Sequence, residues 1–401
     1  MSYSEYTPIP GPAPLQTGNL YDVIVVGGRA AGAATAMLLA RRGLRTLLLD
    51  QSAEGSDTLS THALMRGGVM QLARWGVLND IITAGTPPVR RGTFRYGDEN
   101  VVISVKPSHG VDALYAPRRT LLDPLLVQAA VQAGVEVHHR TAVTGLITRN
   151  GRVYGVHATT PDGRSVDLGA QLVIGADGVR STVARFVNAP FTRIGTSAAA
   201  ATYAYWSDLE TDGYEWIFHP NAACGVIPTN DGKTCVFVNA KPERIGRGGV
   251  QLINYVIADA EPALAHRLSK ATPPKGARTW GGARGFIRRS YGPGWALVGD
   301  AGYFKDPISA HGLTDALRDA ELLARAVIDG FDGACAGSMT ESLEEYERTR
   351  DRISIPFFDI VDRIAGHEWG HREIAQLLLE LNSAQADEVE TLTALEMEAA
   401  S

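Results

Sequence analysis

The sequence predicts a composite α/β fold: a largely parallel sheet wound with helices, an antiparallel β-sheet inserted into it, and a helical C-terminal region. Three observations predict it. Apolar runs at residues 21–26, 172–175 and 295–298 lack strict alternation, and each leads into a turn, at Gly27-Gly28, Asp177-Gly178 and Gly299-Asp300. Strands buried on both faces read this way. Residues 198–240 then change texture to short alternating aromatic segments such as ATYAYWSDL and KTCVFVNA, the pattern of antiparallel strands. Residues 342–401 read as largely helical and become acidic toward their end.

The totals bound the class. A chain of 401 residues that is 45% apolar supports a sizeable core and predicts two domains or one large composite. Its net charge of -6 argues against a general nucleic-acid-binding surface. No apolar stretch approaches the roughly 18 residues of a membrane span. The opening MSYSEYTPIPGPAPLQTG has neither a basic region nor an apolar core, so it predicts a loose Pro-rich tail (residues 1–20) rather than a signal peptide. Cys224, Cys235 and Cys335 lack C-x-x-C spacing, which predicts a reducing, cytoplasmic setting and no metal site.

In order, residues 21–26 predict a buried strand, GGRAAG a tight turn from Gly27 to Gly32, and residues 33–42 a helix stopped by Gly43. Residues 45–49 form a second strand that ends at Asp50. This βαβ unit, Rossmann-like in spacing, suits a dinucleotide: helix N–H groups hold a pyrophosphate and the Asp50 carboxylate accepts from a ribose diol. Arg29 stands where the second glycine of G-x-G-x-x-G belongs; it either contacts a phosphate oxygen or points to solvent. Residues 52–61 predict a polar loop and 63–75 a helix, with Gly67-Gly68 inside it as a conflict. Residues 93–96 and 101–105 predict a hairpin, 117–133 a helix, 135–138 a strand, and 143–149 with 152–159 a hairpin around Asn150-Gly151. Residues 164–169 and 172–175 read as further strands, and Ser181 as a helix cap. Residues 250–270 read as helical and 279–288 as a strand. Residues 295–298 lead to Asp300 at a strand's carboxyl end, where open α/β sheets bind ligands, and a helix follows over 313–328.

GGRAAG with Asp50, ADGVRSTVAR and VGDAGYFKDPISAHGL, in that order, resemble the class A FAD-dependent monooxygenases, a superfamily of aromatic hydroxylases that includes flavin halogenases and geranylgeranyl reductases. The resemblance spans most of the chain. It implies FAD as cofactor, with Gly27, Gly28 and Gly32 at its pyrophosphate and Asp50 at its adenosine ribose. It places Arg66 and Arg119 near the pyrophosphate and ribityl chain, and the Val143 backbone near adenine. Asp177, Gly178 and Arg185 match a motif tied to both FAD and NAD(P)H. Asp300 matches the residue that holds a ribityl hydroxyl, while Pro307, Gly312 and Leu313 match those that flank the isoalloxazine. Read bare, Asp177 makes an Asx turn and the two arginines make surface ion pairs. The implied organisation is an FAD-binding domain from 21–88, 108–190 and 278–335, a substrate-binding sheet from 89–107 and 191–277, and C-terminal helices from 336–401.

The resemblance implies NAD(P)H-driven monooxygenation of a medium-sized aromatic or polycyclic small molecule, in which molecular oxygen is delivered through a flavin C4a-hydroperoxide. The alternative is a reductase or desaturase of geranylgeranyl reductase type. Halogenation is disfavoured: Ala223 to Pro228 keeps Ile227-Pro228 but lacks the halogenase tryptophans, and no lysine lies between Asp50 and Lys106. Substrate candidates come from the aromatic segments: Tyr203, Tyr205, Trp216 and Phe218, with Tyr203 and Tyr205 on one side of their strand and Trp206 on the other. His62 and His311 neighbour cofactor segments and are the candidate acid/base groups, or else hydrogen-bonded structural histidines.

Overall fold

Val23, Ile24 and Val25 point to alternate sides of one strand, yet none is exposed. The strand Leu20–Val26 is central, covered on both faces. In the computed structural model, which describes residues 13–332 and 338–400, it pairs in parallel with Thr46–Leu49 on one side and Ser165–Gly175 on the other. The sheet runs Tyr291–Gly292, Trp295–Leu297, Ser165–Gly175, Leu20–Val26, Thr46–Leu49, Glu136–His138. The hairpin Ala142–Arg149 and Arg152–Thr159 branches from Ser165–Gly175. Helix Ala30–Arg41 lies on one face with helices Arg119–Gln132 and Gly312–Asp332. Five parallel strands therefore end on one edge, where Gly27 N–H donates to Leu49 O (2.8 Å), Ala176 N–H to Val26 O (2.8 Å), Val298 N–H to Gly175 O (3.0 Å) and Asp50 N–H to His138 O (3.0 Å).

The second sheet has seven strands, in the order Arg278–Trp280, Ala200–Ser207, Lys233–Ala240, Ala222–Pro228, Tyr214–His219, Arg91–Tyr96, Glu99–Ser104. All pairs are antiparallel except Tyr214–His219 with Arg91–Tyr96. Period two divides its faces. Trp206, Ile217 and Val236 pack under helices Val250–Ala260 and Pro262–Lys270. Tyr203, Trp216, Phe218 and Phe237 face helices Met339–Ala365 and His371–Ala400. A small third sheet, Tyr303–Phe304, Phe286–Arg288, Phe191–Ile194, bridges the two halves.

Several boundaries differ from expectation for local reasons. The helix expected over 63–75 is Arg66–Arg74, because Leu64 is extended and bridges to Tyr115. Gly68 is tolerated there because the helix packs close to Thr314: a Cβ would lie 3.0 Å from its Oγ1. The expected 164–169 and 172–175 strands are one strand, Ser165–Gly175. The helix over 250–270 breaks at Glu261, where Pro262 starts a new one. The strand over 279–288 is two strands in different sheets. Of the expected tail, Leu15 is buried and Gly18 N–H donates to Asp167 O at 3.0 Å, so residues 15–20 lie against the sheet. Residues 1–12, Cys335 and the 335/336 boundary lie outside the described residues.

Candidate functional site

The carboxyl edge of the parallel sheet is built around glycines. Gly27 adopts φ +108°, and a Cβ there would sit 2.4 Å from Ala176 O. A Cβ on Gly32 would sit 1.8 Å from Gly27 O, so only glycine lets the helix start this close to the strand. Asp50 is buried; its Oδ2 accepts from Gly28 N–H and its Oδ1 from Ser52 N–H, both at 2.6 Å. A pocket opens beside it, lined by Gly28, Arg29, Ser52, Asp123 and His139. Both ring nitrogens of His139 are buried without a partner. Buried polar atoms of that kind call for a ligand or water. Val143 is the second residue of the hairpin strand and lies two residues after Thr141, whose N–H donates to Asp50 O at 2.8 Å.

Arg29 and Arg119 share one carboxylate. Arg29 Nη1 donates to Asp123 Oδ2 (3.1 Å) and to Ser56 O, and Arg119 Nε donates to Asp123 Oδ1 (2.8 Å). Arg66 donates to the backbone oxygens of Lys106, Ser108 and Val111, pinning that loop. Asp177 caps the short helix Thr182–Phe186, accepting from Thr182 N–H (2.6 Å), Val183 N–H (3.2 Å) and the Ser181 hydroxyl (2.5 Å). Gly178, at φ +77°, faces open space, and Arg185 stacks over Phe186 at 5.6 Å. Asp300 accepts no hydrogen bond within the described residues; burial lifts its carboxyl to about 6 against the pull of Lys305 and Arg119. An unclaimed carboxyl in a crevice is suited to a ligand hydroxyl.

The next segment turns tightly. Pro307–Ser309 is a 3-10 turn, Ala310 is left-handed at φ +49°, and helix Gly312–Asp332 begins at once, with Leu313 buried. A Cβ on Gly312 would meet no protein atom within 4 Å. The first-turn N–H groups of this helix have no acceptor within the helix itself. Asp306 accepts from Ala199 N–H (2.7 Å) and Ile308 N–H (3.0 Å), tying this turn to the antiparallel sheet; burial lifts it to about 7. Met65 N–H donates to Thr314 Oγ1 at 3.0 Å, so the segment carrying His62 adjoins the helix start.

Both histidines are buried. His62, at φ +71°, places Nε2 2.5 Å from the Tyr205 hydroxyl, and its Nδ1 has no partner. Burial, with Arg119, Arg118 and Arg278 nearby, holds it well below its ordinary range, so it is neutral. Burial lifts Tyr205, over whose ring Arg118 lies at 5.0 Å. Tyr203 accepts from Ser60 N–H at 3.1 Å and meets Tyr205 edge-on. Tyr203, Trp216 and Phe218 share one buried cluster with Ile308 and Ala310, and Tyr205 packs against it. The structure thus brings all four aromatic candidates and His62 to the face that meets the 307–313 segment.

Sequence reasoning named His311 but missed the charge centre around it. Lys305, buried between the rings of Tyr303 (5.0 Å) and Phe357 (4.8 Å), pairs with Asp315 and is drawn down to about 7 by burial and by Arg318. Arg318 donates to Asp315, Glu388, Asp319 and Ser354. His311 Nε2 lies 2.8 Å from Glu388 Oε2. Glu388 comes from the last helix and has no local motif; the only cue is that it is an acid inside an amphipathic helix. Asp123 was more legible, four residues after Arg119 on one helix face.

A glycine-rich crevice across five parallel strand ends, with acids at Asp50 and Asp300, fits a dinucleotide, as in oxidoreductases of the class A flavoprotein type. The model of the FAD binding domain family matches residues 20–357, and the chain belongs to that family. It is 26% identical over 341 residues to a digeranylgeranylglycerophospholipid reductase of Methanosarcina acetivorans, covering 82% of this chain and 80% of that protein. Among solved structures, the flavin-dependent brominase Bmp2 superposes with a TM-score of 0.79 at 18% identity, covering 93% of each chain. The myxobacterial chondrochloren halogenase CndH gives 0.75 at 25% identity, covering 85% of this chain and 81% of that one. The p-nitrophenol 4-monooxygenase PnpA of Pseudomonas putida DLL-E4 gives 0.75 at 20%, covering 95% and 98%. No helix among the described residues is long and apolar enough to cross a membrane.

Proposed function

We propose that this FAD-dependent oxidoreductase is an NAD(P)H-driven monooxygenase of a medium-sized aromatic or polycyclic molecule bearing a phenolic or enolic hydroxyl. The observation that carries the reading is the hydrogen-bonded His62–Tyr205 pair set in an aromatic face beside the 307–313 turn. Bound FAD supplies the redox and oxygen chemistry. Gly27, Gly28, Gly32 and Asp50 would hold its diphosphate and ribose, Asp300 a ribityl hydroxyl, and Pro307, Gly312 and Leu313 its ring. Trp216 and Phe218 would hold the substrate ring and exclude water. Tyr205, whose hydroxyl donates to neutral His62, would accept a hydrogen bond from the substrate hydroxyl, which raises electron density at the carbon to be oxygenated.

The relatives named as digeranylgeranylglycerophospholipid reductases favour a second reading, hydride delivery to a double bond without oxygen insertion. Two tyrosine hydroxyls, His62 and Arg118 on this face argue for a substrate with a titratable oxygen over a plain hydrocarbon chain. Turnover of a phenol panel under ¹⁸O-labelled oxygen gas separates the two. Label in the product is the expected result; anaerobic turnover to an unlabelled, reduced product selects the reductase.

A further inference from the structure

The charge cluster behind the 307–313 turn fixes the tautomer of a histidine. The Glu388 carboxylate can only accept, and it does so twice: Oε1 from Arg318 Nη1 at 3.0 Å and Oε2 from His311 Nε2 at 2.8 Å. With Arg318 and His311 beside it, Glu388 is held low, near 2, although it is buried. Burial holds His311 below its ordinary range, so the ring is neutral and carries one hydrogen. Facing a carboxylate, that hydrogen sits on Nε2. Nδ1 is then a bare acceptor in a side chain that is 1% exposed, and no described residue donates to it. The ring packs 4.7 Å from Phe357, a member of the aromatic cluster, and its backbone directly precedes Gly312.

We infer that Glu388, on the last helix, is a positioning residue of the cofactor site: it holds His311 as the Nε2–H tautomer so that Nδ1 accepts a hydrogen bond from an N–H of the bound flavin ring. The inference rests on the reading that FAD lies against the 307–313 turn. Buried acceptors are rarely left unsatisfied, and this turn is where the chain offers open space beside Gly312. It also gives the C-terminal helix, which contributes no glycine or phosphate-binding motif, a place in the site.

Glu388→Gln tests it without changing volume. Arg318 still needs an acceptor, so the carbonyl stays at the Oε1 position and the NH2 takes the Oε2 position beside His311 Nε2. Nε2 must then accept, and the ring proton moves to Nδ1. Proton–nitrogen correlation spectra of ¹⁵N-histidine-labelled full-length protein, assigned by subtraction with His311→Gln, read the tautomer directly. The expected wild-type pattern is a bare Nδ1 that moves toward the protonated-nitrogen range when FAD is added. Glu388→Gln should reverse the pattern and weaken FAD binding by roughly 2- to 12-fold, the loss of one hydrogen bond. The visible flavin band reports binding independently. FAD bound with Nδ1 unmoved, or a wild-type His311 protonated on Nδ1, overturns the inference alone. Failure to bind FAD at all overturns the cofactor reading with it.

Discussion

Gly312→Ala separates space used by the protein from space kept for a ligand. At Gly32 an added Cβ would strike Gly27 O at 1.8 Å, so Gly32→Ala must shift backbone and lower both stability and cofactor binding. At Gly312 no protein atom lies within 4 Å and the backbone is not left-handed. Alanine there restricts the unfolded chain and should leave the apoprotein unchanged or more stable by up to about 1 kcal/mol. For a chain of this size that raises Tm by at most about 2 °C. If the crevice is filled by FAD, the same methyl group intrudes on the cofactor. Overpacking costs about 1–3 kcal/mol, which weakens binding roughly 5- to 150-fold. Thermal melts of the apoprotein and FAD titration followed by flavin fluorescence check both halves. A Gly312→Ala protein that binds FAD as tightly as wild type would refute the placement of the ring against this turn. One that melts early would refute the claim that the space is free.

Tyr205→Phe removes the hydroxyl beside His62 Nε2 and should lower kcat/KM by roughly 2- to 12-fold, the loss of one hydrogen bond to the substrate. FAD affinity should hold, and an unchanged kcat/KM would exclude the contact. Asp123→Ala strips Arg29 and Arg119 of their shared carboxylate and should destabilise the fold by roughly 3 kcal/mol, read by urea denaturation; a change below about 0.5 kcal/mol would mean that the clamp is solvent-screened. Asp300 has a native pKa of about 6, raised from 3.8, so between those values the folded apoprotein holds a proton that the unfolded chain has lost. Its contribution therefore makes stability fall as pH rises from about 4 to 6. Asp300→Asn should flatten that part of the apoprotein's stability curve, and an unchanged slope would show that Asp300 is solvated.

The glycine-rich edge of the parallel sheet was legible because its signals are local. The turn after Leu20–Val26 needs glycines at fixed offsets, Asp50 must end the next strand, and the helix must start within a residue or two; each demand is written within thirty consecutive residues. The same holds for the Asn150-Gly151 hairpin, where Asn150 (φ +49°) and Gly151 (φ +75°) are both left-handed. Boundaries failed where long-range packing overrode local preference. Gly67-Gly68 reads as a helix breaker until Thr314 is seen to need the space. Residues 279–288 read as one strand because nothing local tells that Arg278–Trp280 joins one sheet and Phe286–Arg288 another.

The arginines show why residue type does not predict a protein partner. Arg29 occupies a glycine position and reads as a phosphate ligand or a solvent-facing residue, yet Asp123, 94 residues away, draws it sideways into the wall of the pocket beside Asp50. Arg66 looks the same on paper and is spent on three carbonyls of a neighbouring loop. A guanidinium has five donors and takes whichever acceptors the tertiary fold supplies, so its residue type predicts bonding capacity but not its partner. Glycines differ: what they provide is an absence of atoms, and that is fixed by backbone geometry alone. The same logic governs the candidate substrate face. His62, Tyr205 and Arg118 lie on three separate segments and become one hydrogen-bonded and stacked unit only when the antiparallel sheet docks on the loop after Asp50. Its chemistry is therefore a property of the docking. Tyr203→Phe, which removes the tie to Ser60 and leaves every glycine, Asp50 and the 307–313 turn intact, should lower turnover before it lowers FAD affinity, read by steady-state kinetics beside a flavin-fluorescence titration.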